Sequence, residues 1–158
     1  MAGSSWWQRV GVVGLTGGVL LSVAACANPV ALDPAPSASE PVCAVLLLDL
    51  PNELGGQERR STTSQASRAW GDPAIVLRCG VDPLGPTVEG CITVATTDGT
   101  EVDWVVTEDE THSSFTTYGR LPAVEVTIPS EYAGDQTILT TLSAAAVPLP
   151  QDGDRKCL

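Results

Sequence analysis

Apolar positions fall into three regimes along the chain. From Val10 to Ala25 they are nearly continuous over 16 positions, broken only by Thr16, Ser22 and four glycines. That is short of the ~20 apolar residues a spanning helix needs. With Arg9 ahead of it and the small pair Ala24 and Ala25 behind, residues 1–25 have the anatomy of a secretory signal peptide, with an uncleaved anchor as the competing reading. In the second regime Cys43, Leu46, Leu47 and Leu50 recur at helical spacing. Ser39 suits the cap, Pro41 the first turn, and Pro51 stops the run, although so short and apolar a run also fits a strand.

The third regime is strand-like. Residues 74–79, 91–96, 102–107 around Trp104, 115–118 and 124–128 carry branched and aromatic side chains between turn residues. In "VEVTI", Val124, Val126 and Ile128 share one face while Glu125 and Thr127 take the other, which predicts a sheet with one wet face. Near the end, "DQTILTTLSAAAV" puts Ile138, Leu142 and Ala145 at helical spacing before Pro148. The polar stretch Asn52 to Ser67, with its "GG" and "RR", predicts a surface loop. Together these patterns predict one α+β domain over residues 42–158, a small antiparallel sheet with flanking helices.

The apolar leader ends "LSVAAC", and Val23 to Cys26 resemble a bacterial lipobox, in which the cysteine thiol receives a diacylglyceryl group before cleavage ahead of it. Two acyl chains anchor stably where one binds marginally. The following "ANPVALDPAPSASEP" has no aromatics and many prolines, so residues 26–41 read as a disordered tether. The expected partner is the membrane, through lipid on Cys26.

Charge and cysteine content narrow the picture. A formal charge of -11 and a pI near 4.2 argue against nucleic acid, whose affinity comes from cations neutralising phosphates. An acidic domain over an anionic bilayer is expected to be pushed away from it. Aromatics make up 4%, so the core relies on Val, Leu, Ile and Ala and gains from covalent ties. With Cys26 given to lipid, Cys43, Cys79, Cys91 and Cys157 form two disulfides by one of three connectivities. Proximity across "GVDPLGPTVEG" favours Cys79 with Cys91, leaving Cys43 with Cys157 to tie the domain ends; in the chain-entropy model these loops contribute roughly 3 and 4.7 kcal/mol. There is no C-x-x-C pair, which argues against a thioredoxin-like site or a zinc knuckle.

The most unusual stretch is "AWGDPAIVLRCG", residues 69–80. Pro73 drives Asp72 out of the helical region and Gly71 is conformationally free, so "WGDP" predicts a bend into a strand. The sharper alternative is a recognition surface in which Trp70 stacks on a ligand beside Asp72 while Arg78 or Arg120 holds an anion. His112 follows Glu108, Asp109 and Glu110. Sequence neighbours seldom have triad geometry, so pairing with Ser113 or Ser114 is a weak nucleophile signal, and the acids lack the spacing of a calcium loop. A solvated hairpin loop is the expectation there. No G-x-S-x-G, H-E-x-x-H or phosphate-cradling loop occurs, and no catalytic residue, metal ligand or cofactor is assigned.

The block "AWGDPAIVLRCG", with "CAVLLLDLPNELGGQERR", "TTYGRLPAVEVTIP" and the terminal "RKC", resembles the actinobacterial family of small exported or membrane-anchored proteins known as domain of unknown function 3515. The resemblance spans Val42 to Cys157. It implies an envelope setting and carries no activity or catalytic residue with it. The resulting expectation is a lipid-anchored, non-enzymatic accessory or binding module on the outer face of the plasma membrane, its partner an envelope protein or cell-wall ligand. The alternative is an envelope hydrolase using paired carboxylates from Asp72, Asp103 and Glu125, which need to lie about 5–10 Å apart in one cleft.

Overall fold

A computed structural model describes residues 28–87 and 89–157. The leader and the lipobox with Cys26 lie outside them. Eight strands form one antiparallel sheet: β1 (Glu53–Leu54), β2 (Gln57–Arg60), β3 (Ser67–Trp70), β4 (Ile75–Val81), β5 (Cys91–Ala95), β6 (Glu101–Glu108), β7 (His112–Thr117) and β8 (Ala123–Pro129), ordered β1-β2-β3-β4-β8-β7-β6-β5. Two helices, α1 (Pro41–Asp49) and α2 (Gln136–Ala146), complete the α+β fold.

The alternation predicted for "VEVTI" sets the layering. Val124, Val126 and Ile128 are buried while Glu125 and Thr127 are half-exposed. In register with them, Leu77 pairs with Val126, and Phe115 lies opposite Val126 on the other side. This inner face, with Trp70, Ile75, Val102 and Trp104, meets Leu46 of α1 and Ile138 and Leu142 of α2 in one core. The two buried indoles are both satisfied, as buried N–H groups must be. Trp104 Nε1 donates to Ser143 Oγ of α2 at 2.9 Å, and Trp70 Nε1 to the Pro51 carbonyl at 3.1 Å. Asp135 caps α2 by accepting from Thr137 N at 2.9 Å. Glu40, not Ser39, occupies the cap of α1, and Pro41 takes its first turn.

Three expectations are corrected. The polar stretch 52–67 is not a loop throughout, because Gly55 and Gly56, at φ 56 and 72, make the tight turn of the β1–β2 hairpin. Residues 30–40 do not hang free. Val30 bridges Thr62, Ser37 N donates to Gly80 O at 2.8 Å, and Ala35 and Ala38 are buried. Ala35 and Ala38, whose side chains are a single methyl, are buried where this strap meets the core. Gly80 completes the fit: at φ 95 it has no Cβ to collide with the Ser37–Ala38 backbone.

The cysteine pairing is the third correction: Cys43 bonds Cys79 and Cys91 bonds Cys157. Cys79 and Cys91 sit on β4 and β5, four strands apart in the sheet, about 19 Å at 4.8 Å per strand. A disulfide spans at most about 6.8 Å between Cα atoms. Register also puts Cys79 with inward Val124, and Cys91 with Val105, beside outward Asp103. One bridge therefore ties α1 to the inner face, and the other ties the C-terminal tail to the outer face.

Candidate functional site

The "WGDP" block is the turn of the β3–β4 hairpin. Trp70 opposes Ile75, Gly71 takes φ 75, and the Asp72–Pro73 peptide is cis. Trp70 is fully buried, so its indole packs the core and offers no face for a ligand to stack on. Asp72 is 88% exposed at its side chain and pairs with Arg60 at 3.4 Å, while Arg60 also donates to the Gly71 carbonyl at 2.9 Å. Arg78 lies across from Glu125 on the outer face, paired at 3.3 Å. Arg120 donates to the carbonyls of Val147 and Leu149 at 3.2 and 2.8 Å, closing the C-terminal end of α2 whose carbonyls lack helical partners. Burial pushes the Arg120 pKa down, and the negative charge of Asp103 opposes the shift. The four residues proposed to bind together are thus spread over separate places, each with a structural partner.

The carboxylates are likewise dispersed. Asp72 belongs to Arg60 and Glu125 to Arg78. Asp103 accepts from Thr93 Oγ1 at 2.6 Å on one oxygen and from Cys157 N at 2.9 Å on the other, which fastens the C-terminal tail. It lines a cleft of about 220 Å³ with Glu101, Tyr118, Arg120, Gln151 and Lys156. Glu101, two residues from Asp103 on one strand, is the carboxylate that the sequence reading overlooked. Acids and cations are mixed in this cleft.

The acidic stretch near His112 is the β6–β7 turn, as its composition suggested. Asp109 accepts from Thr111 N, Thr111 Oγ1 and His112 N, and these bonds hold its pKa below the usual value. His112 Nε2 lies 3.1 Å from Asp109 Oδ2 and Nδ1 2.8 Å from Thr111 Oγ1. Ser113 instead donates to Glu108 Oε1 at 3.3 Å, so no serine–histidine bond joins them. Among the described residues no three His, Cys, Asp or Glu side chains gather as metal ligands.

A third place concentrates positive charge. Arg59, Arg60, Ser61, Thr62, Ser64 and Arg68 line an open groove of about 530 Å³, so three of the chain's 8 cations share one site in a protein of charge -11. Arg59 opposes Trp70 across the β2–β3 pair, and Arg68 precedes Trp70 by two residues on the same side. The signal was present in the sequence: Gly-Gly followed by "QERR" marks a hairpin whose second strand carries adjacent arginines.

The family model described as Protein of unknown function (DUF3515) matches residues 10–152. The chain belongs to that family. No curated protein and no solved structure matches it.

In this DUF3515 chain the motif residues have structural duties. "WGDP" turns a hairpin over a buried indole, and "LRCG" supplies the Cys79 bridge and the Gly80 seat for the N-terminal strap. "YGRLP" does the same for the other end. Gly119, at φ 70, leaves room for the Arg155 carbonyl, its own carbonyl accepts from Asp152 N at 2.8 Å, and Arg120 pairs with Gln151 in an antiparallel bridge. Arg155 of "RKC" donates to the Leu84 carbonyl at 3.2 Å before Cys157 closes the tail onto β5.

Proposed function

We propose that this chain is a lipid-anchored protein of the outer face of the plasma membrane, acting as a non-enzymatic accessory or binding module. The observation that carries the reading is a lipobox-like Val23-Ala24-Ala25-Cys26 at the end of an apolar leader, two residues ahead of Asn28, whose carbonyl is already bonded to Arg60 of a domain holding two disulfides. Intramolecular disulfides persist in oxidising compartments beyond the cytosol. The separate structural partners of Asp72, Asp103 and Glu125 favour binding over carboxylate hydrolysis.

Intact mass of the protein extracted from membranes tests the reading. A mature chain starting at Cys26 with a diacylglyceryl adduct is expected. Cys26→Ser should abolish the adduct and release the domain from the membrane fraction. A chain cut elsewhere, or unmodified at Cys26, overturns the anchor.

A further inference from the structure

Strap, hairpin and arginine groove meet at one corner. Arg60 Nη2 donates to the Asn28 carbonyl at 3.2 Å, Val30 N to Ser61 O at 2.8 Å, and Leu32 N to Thr63 Oγ1 at 2.9 Å. The chain therefore enters the domain along the wall of the groove. Cys26 precedes Asn28 by two residues, and two residues reach at most about 7 Å. Wherever a lipid on Cys26 enters a bilayer, the groove is held within headgroup distance of it.

The groove has the chemistry of a phosphate site. Arg60 is partly neutralised by Asp72, but neither Arg59 nor Arg68 has an ion pair among the described residues. Arg59 also lines a neighbouring cleft with Asn52, Glu53 and Glu58, whose carboxylates do not line the groove itself. Arg68 Nε is buried without a hydrogen-bond partner. Burial and the like charge of Arg59 both depress the Arg68 pKa, so two cations lie close together with neither held in an ion pair among the described residues. Guanidinium forks match phosphate oxygens bidentately, and the hydroxyl residues Ser61, Thr62 and Ser64 line the same walls.

We propose that the groove of Arg59, Arg60 and Arg68 binds the phosphate of a phospholipid headgroup and seats the domain on the bilayer. The proposal rests on the reading of Cys26 as the lipid-bearing residue, which sets the source of the phosphate. It reverses the expectation from net charge, because a local basic face can touch a surface that repels the molecule as a whole once separation falls below the Debye length of about 10 Å at 0.1 M salt.

The test uses residues 26–158 with Cys26→Ser, which keep every described core residue and both bridges, sedimented with vesicles of phosphatidylcholine alone or mixed with phosphatidylglycerol. Binding to the mixed vesicles that weakens with added salt is expected. Arg59→Gln with Arg68→Gln should weaken it about thirtyfold, at about fivefold per cation near an anionic surface, with the thermal midpoint unchanged. Should the pair disturb folding, Arg59→Gln alone on the edge hairpin reads the same groove at about fivefold. No vesicle binding by the parent, or equal binding by parent and variants, overturns the proposal. Arginine-dependent binding of inorganic phosphate without vesicle binding overturns the membrane source. The mass of Cys26 in the host is read separately: an unmodified Cys26 with intact vesicle binding removes the anchor and leaves the seat, whereas a lipidated Cys26 without vesicle binding removes the seat alone.

Discussion

Replacing Gly80 by alanine probes the strap and the sheet together. Gly80 sits at φ 95, and a Cβ there would run into the backbone at Ser37 and Ala38, closer than any real contact. Left-handed backbone at a non-glycine residue costs about 1–2 kcal/mol. Relief requires the strap to lift, which forfeits the Ser37 N to Gly80 O bond, worth about 1 kcal/mol net, and the buried methyls of Ala35 and Ala38, about 0.8 kcal/mol each. Ordering entropy regained by the freed strap offsets part of that sum, leaving an expected loss of about 2–4 kcal/mol. At roughly 3–5 °C per kcal/mol for a domain of this size, the thermal midpoint should fall by about 6–20 °C. Amide hydrogen exchange should show protection lost over residues 30–40 and kept in β4 and β8. If Gly80→Ala melts within a degree of the parent and the strap amides stay protected, the seating of the strap on Gly80 is wrong.

Other expectations test the corner, the core and the charges. Trp70→Ala should destabilise the domain by about 3–5 kcal/mol as a core truncation does; chemical denaturation giving an unchanged midpoint would return Trp70 to the surface. Ser143→Ala leaves the buried Trp104 N–H without its acceptor at about 1–3 kcal/mol, and a double-mutant cycle with Trp104→Phe should show coupling of at least about 0.5 kcal/mol; strict additivity refutes the bond. Asp98, Asp109 and Asp135 all accept hydrogen bonds that hold their pKa below the ordinary 3.8. A folded-state pKa below the unfolded one means their contribution is present above about pH 4 and is lost as pH falls through the lower, folded value. Denaturation across that range should show a decline that Asp135→Asn makes shallower; an unaltered profile refutes the capping role.

How far the fold was legible depended on how local its causes were. β4 and β5 announced themselves as branched apolar runs between turn residues, β6 and β8 by alternation, and α2 because Ile138, Leu142 and Ala145 repeat every few positions, all properties of neighbouring residues. The β1–β2 hairpin was missed although its Gly-Gly turn was in plain view, because charge in "QERR" looked like a loop; β2 lies one strand in from the edge with side chains that reach solvent, so charge is tolerated there. Disulfide pairing was illegible because it depends on strand order, and β8, β7 and β6 intervene between β4 and β5. Loop entropy could not discriminate: separations of 36 and 66 give about 3.8 and 4.3 kcal/mol, nearly the same total as the pairing first favoured. For "WGDP" the bend was visible and the burial of Trp70 was not, since burial is decided by Pro51 and the strands beside it.

The strap also determines how the domain meets a mechanical load. A pull from the N-terminal side acts on a short series of bonds: Arg60 to Asn28, Val30 to Ser61, then Ser37 to Gly80. These can be unzipped one after another, like a seam, without disturbing the sheet. The unzipping halts where Cys43 is joined covalently to Cys79 in β4. The thirteen residues from Asn28 to Glu40 can then pay out about 45 Å of extended chain, a reserve of length that yields under tension and stops at a fixed point, so that a load on the leading end is taken up by the strap before it reaches α1 and β4.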